Sequence, residues 1–335
     1  MSSTENAPTE FLIVGAGALG SILGAHLGSA GYRVTMLARG ARAAAIAKAG
    51  IRIEGLTTLV QPVQVITDAT QIRNTEILII ATKAIDTVHT VSLLKHIDLR
   101  SALSIQNGVF KNEALSNTFG SGRVLGAVAD ISGELRPDGT VIFTRNIDIC
   151  LGRLQHNSDE AASAAATVAR ELNHAGIKAS TSSDIQSLEW SKFVGWVGLL
   201  TVAVTLRAPT SQCLADPAAA LVLVRIVREM GSLCRAEGVK LQDGAVLPVA
   251  TLCQGTEDSA VDRVLAVGNV FARMAPEHRI SALQDLEAER PLEINETIGY
   301  AVARAHRLAL KLPLLETVLP LITAIDRVAS AKCHS

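Results

Sequence analysis

The chain has 335 residues, 48% of them apolar and only 3% aromatic, with a formal net charge of −1. That length favours two domains of ordinary size. The near-neutral charge and scarce stacking side chains exclude a nucleic-acid binder held by bulk positive charge. The polar segment Met1–Glu10 lacks the basic flank and apolar core of a secretory signal. The longest uncharged apolar run, Phe193–Leu206, spans fourteen residues, short of the roughly 20 that a membrane-spanning helix needs. The five cysteines, Cys150, Cys213, Cys234, Cys253 and Cys333, are scattered and have no histidine at ligand spacing. Free thiols, no structural metal, no membrane and a reducing cytoplasm are therefore expected.

In chain order, apolar runs alternate with helical stretches: Phe11–Val14, Leu19–Ser29, Arg33–Ala38, Ala41–Ala49. That alternation predicts parallel strands joined by helical crossovers. Further strands are expected at Glu76–Ala81, Ala102–Gln106 and Arg123–Ala129, with a hairpin turn at Arg136–Gly139 before Thr140–Phe143. The sheet is expected to end near Ile177–Ser180. From about Ser182 the period becomes helical, over Ala218–Ala236, Ser259–Met274, Glu293–Leu308 and Leu314–Val328. The reading is an α/β chain: a Rossmann-like doubly wound sheet over residues 1–182, then an all-α domain over residues 183–335.

Gly15-Ala16-Gly17-Ala18-Leu19-Gly20 follows a strand directly and opens a helix directly. In that context the glycines supply a tight turn, close approach of backbone to a pyrophosphate, and close packing of helix on strand. The phosphates then meet the helix N-terminus. A site preferring NAD places Asp or Glu at the end of the second strand; this chain has Leu37-Ala38-Arg39, with Arg42 nearby. A guanidinium there pairs with a 2′-phosphate, a contact worth about 1.5–3 kcal/mol. The cofactor expected is NADP(H).

Taken with four further motifs, the chain resembles the ketopantoate reductase (2-dehydropantoate 2-reductase) family from Phe11 to about Val318. The motifs are Thr82-Lys83-Ala84, Gln106-Asn107-Gly108, Glu189-Trp190-Ser191-Lys192-Phe193, and Ser281-Ala282-Leu283-Gln284-Asp285 followed by Glu293-Ile294-Asn295. The resemblance implies a Rossmann domain, a helical domain, an active site in the cleft between them, and reduction of a 2-oxo acid to a 2-hydroxy acid by NADPH. It matches Lys192 to the catalytic lysine, Glu293 to the active-site glutamate, Ser281 to a substrate-contacting serine and Asp285 to the acidic residue after it. Lys83 and Asn107 match cofactor-side and cleft residues. Fold-level analogy adds a homodimer through the helical domain.

The chemistry asks for the same types. Hydride delivery to a carbonyl carbon leaves negative charge on oxygen, so a cation or proton donor belongs beside it. Lys192 suits that role, although alone it reads equally as a snorkelling lysine at the edge of a buried helix. Glu293 alone reads as a helix N-terminal carboxylate, Lys83 as a surface lysine, and Asn107-Gly108 as a tight turn. Ser281 and Asp285 stand one helical turn apart and share a face. Where the family carries asparagines four and eight residues after the lysine, this chain has Trp196 and Leu200, so the pocket wall differs and ketopantoate is a doubtful substrate. An imine or 3-hydroxy acid on the same fold, and a non-catalytic NADP(H) sensor, stay open.

Overall fold

The computed structural model describes residues 9–154, 159–244 and 246–331; most of the polar N-terminal segment and Cys333 lie outside the described residues. The chain divides into two compact units. The first comprises residues 1–107 and 111–186, the second residues 108–110 and 187–335.

In the first unit, ten strands form one sheet. They are β1 (Glu10–Val14), β2 (Arg33–Leu37), β3 (Ile51–Gly55), β4 (Leu59–Gln61), β5 (Gln64–Ile66), β6 (Asn74–Ile80), β7 (Asp98–Ser104), β8 (Val124–Leu135), β9 (Val141–Arg153) and β10 (Ala179–Thr181). The order is β4-β3-β9-β8-β7-β6-β1-β2-β5, with β10 beside β9. Strands β7, β6, β1, β2 and β5 are mutually parallel. Helices α1 (Ala18–Ser29), α2 (Gly40–Ala49), α3 (Thr87–Leu94), α4 (Phe110–Phe119) and α5 (Asp159–His174) complete the crossovers.

Alternation along β1 explains why the sheet is wound on both sides. Phe11 and Ile13 pack with Ile22, Leu23 and Leu27 of α1 and Val168 and Leu172 of α5. Leu12 and Val14 face the other way, with Val91 and Leu94 of α3 and Leu115 of α4. A strand buried on both faces needs an unbroken apolar run, and Phe11–Val14 and Ile77–Ile80 are such runs.

The sheet is mixed: β8 and β9 form a long antiparallel hairpin around the turn expected at Arg136–Gly139, with bulges near Asp130 and Ser132, and β3 pairs antiparallel with β4. Strands β3, β4 and β5 leave little trace in the sequence, because three to five residues with little alternation carry a weak periodic signal.

The second unit is helical: α6 (Ile185–Leu206), α7 (Thr210–Ala215), α8 (Pro217–Ala236), α9 (Val249–Leu252), α10 (Glu257–Met274), α11 (Ser281–Glu287), α12 (Tyr300–Arg307) and α13 (Pro313–Ala331). Helix α6 is apolar nearly all round from Phe193 and sits in the core, with Gly198 against Leu223 and Val227 of α8 and Gly195 against Leu247 and Val249. Asp216 caps α8 by accepting from the Ala219 amide at 2.8 Å, with Pro217 at the first helical position. Among the described residues no helix is long and apolar enough to cross a membrane.

His26 on α1 is buried against the ring of Phe143. Its Nδ1–H donates to the Ala175 carbonyl at 3.0 Å, since a carbonyl only accepts, and Nε2 then accepts from the Thr57 hydroxyl at 3.0 Å. Burial holds its pKa below the ordinary 6.5. The unfolded chain therefore takes up a proton near pH 6.5 while the folded chain still refuses it. This stabilisation is complete above that pH and is lost as pH falls below it, by up to about 1.4 kcal/mol per pH unit. His26→Gln should lower Tm at pH 7.5 yet show a shallower fall in Tm between pH 7 and pH 5 than the unaltered protein in thermal melts.

Candidate functional site

The strand order reverses between β1 and β6, and in sheets of this build ligands gather at that switch point, outside the C-terminal strand ends. There the Gly15 amide donates to Leu37 O at 3.0 Å and the Ala81 amide to Val14 O at 2.8 Å. Gly15 has φ +103, and a Cβ on it would stand 2.8 Å from Thr82 N and 2.9 Å from Ala81 O. A Cβ on Gly20 would stand 2.0 Å from Gly15 O. Both glycines are required by the protein's own packing.

Gly17 is different. It caps α1 with extended backbone (φ −68, ψ −169), no side chain caps the helix, and a Cβ there would meet nothing within 4 Å. The protein's own packing does not require a glycine at residue 17. The loop Gly15-Ala16-Gly17-Ala18-Leu19-Gly20 thus leaves a cradle at a helix N-terminus, and the residues fit a dinucleotide pyrophosphate.

Arg39 is exposed at the end of β2 and is the N-cap residue of α2. Arg42, which lies near Arg39 in the sequence, is engaged within the protein. Its Nε donates to Ala16 O at 3.1 Å, Nη1 to Gly139 O at 2.6 Å and Nη2 to Ser21 Oγ at 2.9 Å. It braces the glycine loop against the β8–β9 hairpin turn, a role that no sequence spacing reveals.

At the ends of β6 and β7 the organiser is Gln106, a motif member not singled out in the sequence. Its Nε2 donates to Thr82 O at 3.0 Å and Lys83 O at 3.1 Å, and its Oε1 accepts from Thr87 Oγ1 at 3.0 Å and Ser104 Oγ at 2.9 Å. Lys83 itself is exposed and Asn107 half-buried. Lys111, 3% exposed, donates from Nζ to Ser104 O at 3.0 Å, Gln106 O at 3.0 Å and Ala127 O at 2.6 Å. A lysine just after an Asn-Gly turn reads as a surface charge, and nothing local predicts its burial.

In the second unit, Lys192 and Trp196 are half-buried one turn apart on α6. Phe193 stacks edge-on with Trp190 (5.9 Å) and Tyr300 (6.5 Å), and Phe110 lies 5.6 Å from Tyr300. A Cβ on Gly108 would lie 3.5 Å from Glu296 O and 3.8 Å from the Phe193 ring. The chain after Asn107, the helix carrying Lys192 and the segment after Glu293 are thereby brought together. The indole Nε1 of Trp196 is buried without a hydrogen-bond partner among the described residues. Leu200 is 1% exposed and belongs to the core.

Glu293 does not open a regular helix, as its sequence suggests. It is half-buried just before a π-helical turn, Asn295–Gly299, in which the Gly299 amide donates to Ile294 O at 2.9 Å; α12 begins only at Tyr300. Ser281 is the half-buried first residue of α11. Asp285, on the same helix, is 3% exposed and accepts from Arg290 Nε at 2.9 Å, which gives that carboxylate a structural partner.

Comparison with known proteins gives the context. A family model described as ketopantoate reductase PanE/ApbA matches residues 11–156, and the model of its C-terminal part matches residues 184–326. The chain is 28% identical over 314 residues to a 2-dehydropantoate 2-reductase of Archaeoglobus fulgidus, covering 94% of this chain and 97% of that protein. It is 27% identical to one of Mycobacterium tuberculosis, again covering 94% and 97%. Among solved structures, a PanE/ApbA family ketopantoate reductase of Ralstonia eutropha superposes with TM-score 0.77 at 22% identity, covering 95% of this chain and 99% of that one. D-mandelate dehydrogenase in ternary complex with NADH and anilino(oxo)acetate superposes with TM-score 0.80 at 16% identity, with the same coverage.

The glycine geometry separates packing from binding. Gly17→Ala should leave Tm within a few degrees of the unaltered protein while weakening dinucleotide binding at least tenfold, about 1.4 kcal/mol. Gly20→Ala should lower Tm sharply. Thermal melts and a fluorescence titration of each variant check both.

Proposed function

Since the chain belongs to the ketopantoate reductase family, whose matched members are oxidoreductases acting on a keto group, we propose that it reduces a 2-oxo acid to the 2-hydroxy acid with NADPH. The observation that carries this reading is the packing of Gly108, Phe193 and the Glu296–Tyr300 segment on one another. Within the second unit it packs together the stretches of sequence that bear Lys192 and Glu293, polar groups of the kind a carbonyl reduction requires.

NADPH supplies the hydride when bound. The glycine cradle orients its pyrophosphate, and the exposed Arg39 supports the phosphorylated cofactor, because a guanidinium at the end of β2 pairs with a 2′-phosphate. Lys192 holds a proton at the substrate carbonyl oxygen, where negative charge develops, and delivers it as the alcohol forms. Glu293 and Ser281 orient the substrate. Asn107, just past the end of β7, and Lys83, just past the end of β6, would help to hold the cofactor.

Trp196 supports a substrate other than ketopantoate. An indole is a donor only, broad and apolar, where an asparagine both donates and accepts. An indole therefore gives a substrate hydroxyl no acceptor for its proton, and leaving that proton unpaired costs about 1–3 kcal/mol. The anilino(oxo)acetate bound by the mandelate dehydrogenase neighbour is an oxo acid with an aromatic group. It supports a bulky apolar 2-oxo acid as the class to try first.

NADPH oxidation across a panel of aliphatic and aryl 2-oxo acids tests the reading. Ketopantoate should be turned over with kcat/KM below about 10⁴ M⁻¹s⁻¹ and an apolar 2-oxo acid faster. Lys192→Ala should abolish most turnover without loss of NADPH affinity. Turnover that survives the substitution removes Lys192 from the reaction, and tight NADPH binding with no turnover of any substrate favours a sensor. NADPH should bind roughly 10- to 100-fold more tightly than NADH, and Arg39→Ala should erase that preference.

A further inference from the structure

Glu293 lies in a short irregular stretch between α11 and the π turn, an unpromising place for a group that must be held to a fraction of an ångström. The stretch is nevertheless fixed at both sides. Upstream, Arg290 donates twice to Asp285, from its Nε to the carboxylate at 2.9 Å and from its amide to Asp285 O at 2.8 Å. Downstream, the Glu293 carbonyl accepts from Thr297 Oγ1 inside the π turn. Leu292 and Ile294, on either side of Glu293, are each 4% exposed.

The remaining anchor comes from far along the chain. Asp326 on α13 accepts from the Leu292 amide at 3.1 Å, across 34 residues of sequence. Helix α13 is itself pinned at its start, where Glu229 of α8 accepts from the amides of Leu314 (2.8 Å) and Leu315 (3.0 Å). A carboxylate on a rigid helix thus grips the peptide that immediately precedes Glu293.

We propose that Asp326 is a positioning residue for the reduction: through its hydrogen bond to the Leu292 amide it sets the placement of Glu293. The inference rests on the reading of Glu293 given above. A carboxylate accepting from a main-chain amide is a charge-assisted bond, stronger than one between neutral partners. Removing it leaves the amide of a buried residue without an acceptor. The backbone at Leu292 is then free to turn, and Glu293 turns with it.

The test compares Asp326→Ala, Asp326→Asn, Glu293→Gln and the double variant Glu293→Gln with Asp326→Ala. All use the full chain and the fastest 2-oxo acid of the panel, with rates normalised to NADPH-binding sites counted by fluorescence titration. Asp326→Ala should lower kcat at least tenfold with the NADPH dissociation constant unchanged. Asp326→Asn, which keeps an oxygen acceptor, should recover most of that loss. The double variant should be no slower than Glu293→Gln alone, because both act through one group. Additive losses, or a loss that vanishes once rates are normalised to binding sites, would overturn the proposal. If Glu293→Gln itself costs nothing, the role of Glu293 falls and this inference falls with it; a large loss in Glu293→Gln beside none in Asp326→Ala removes Asp326 alone.

Discussion

At Gly15 the ends of β1 and β6 run so close that a Cβ would stand 2.8 Å from the Thr82 amide nitrogen and 2.9 Å from the Ala81 carbonyl oxygen. The arrangement of the first unit turns on that approach. It lets α1 start within four residues of β1 and brings the β1 and β6 loops side by side at the switch point of the sheet. It also leaves Gly17 as backbone facing open space. Gln106 then closes the arrangement from β7, with a carboxamide whose oxygen and nitrogen are both fully used. Such a network is rigid because every member is satisfied; a half-satisfied one would be a liability.

Two cations brace this frame from within the protein. Lys111 and Arg42 each donate three hydrogen bonds, almost all to main-chain carbonyls at strand ends and turns. Taking a charge out of water is costly unless its hydrogen bonds are replaced. Both side chains meet that condition with neutral acceptors, so they fix backbone positions. Arg39, the N-cap residue of α2, stays exposed instead.

How much of this the sequence reveals depends on the range of the interaction. The glycine loop, the strands beside it and the long helices of the second unit are legible, because turn chemistry and period are local properties. Gln106 lies within a recognisable motif, yet its partners at Thr82 and Thr87 are 24 and 19 residues away. Arg42 reaches Gly139 across 97 residues and Asp326 reaches Leu292 across 34, so neither leaves a pattern in the sequence. Glu293 reads as a helix start because the apolar spacing after it is helical. The π turn adds one residue to that spacing, and a single extra residue is below the resolution of periodicity. Asp285 shared a face with Ser281 as the spacing required, while its burial against Arg290 depends on how α11 ends.

The brace from Arg42 to both the glycine loop and the turn of the β8–β9 hairpin carries a thermodynamic consequence. A side chain that holds two backbone segments at once makes the free energy of disturbing either depend on the other. A disturbance at Ala16 is thereby felt at Gly139, and the coupling free energy between the two segments is the same whichever end is disturbed first.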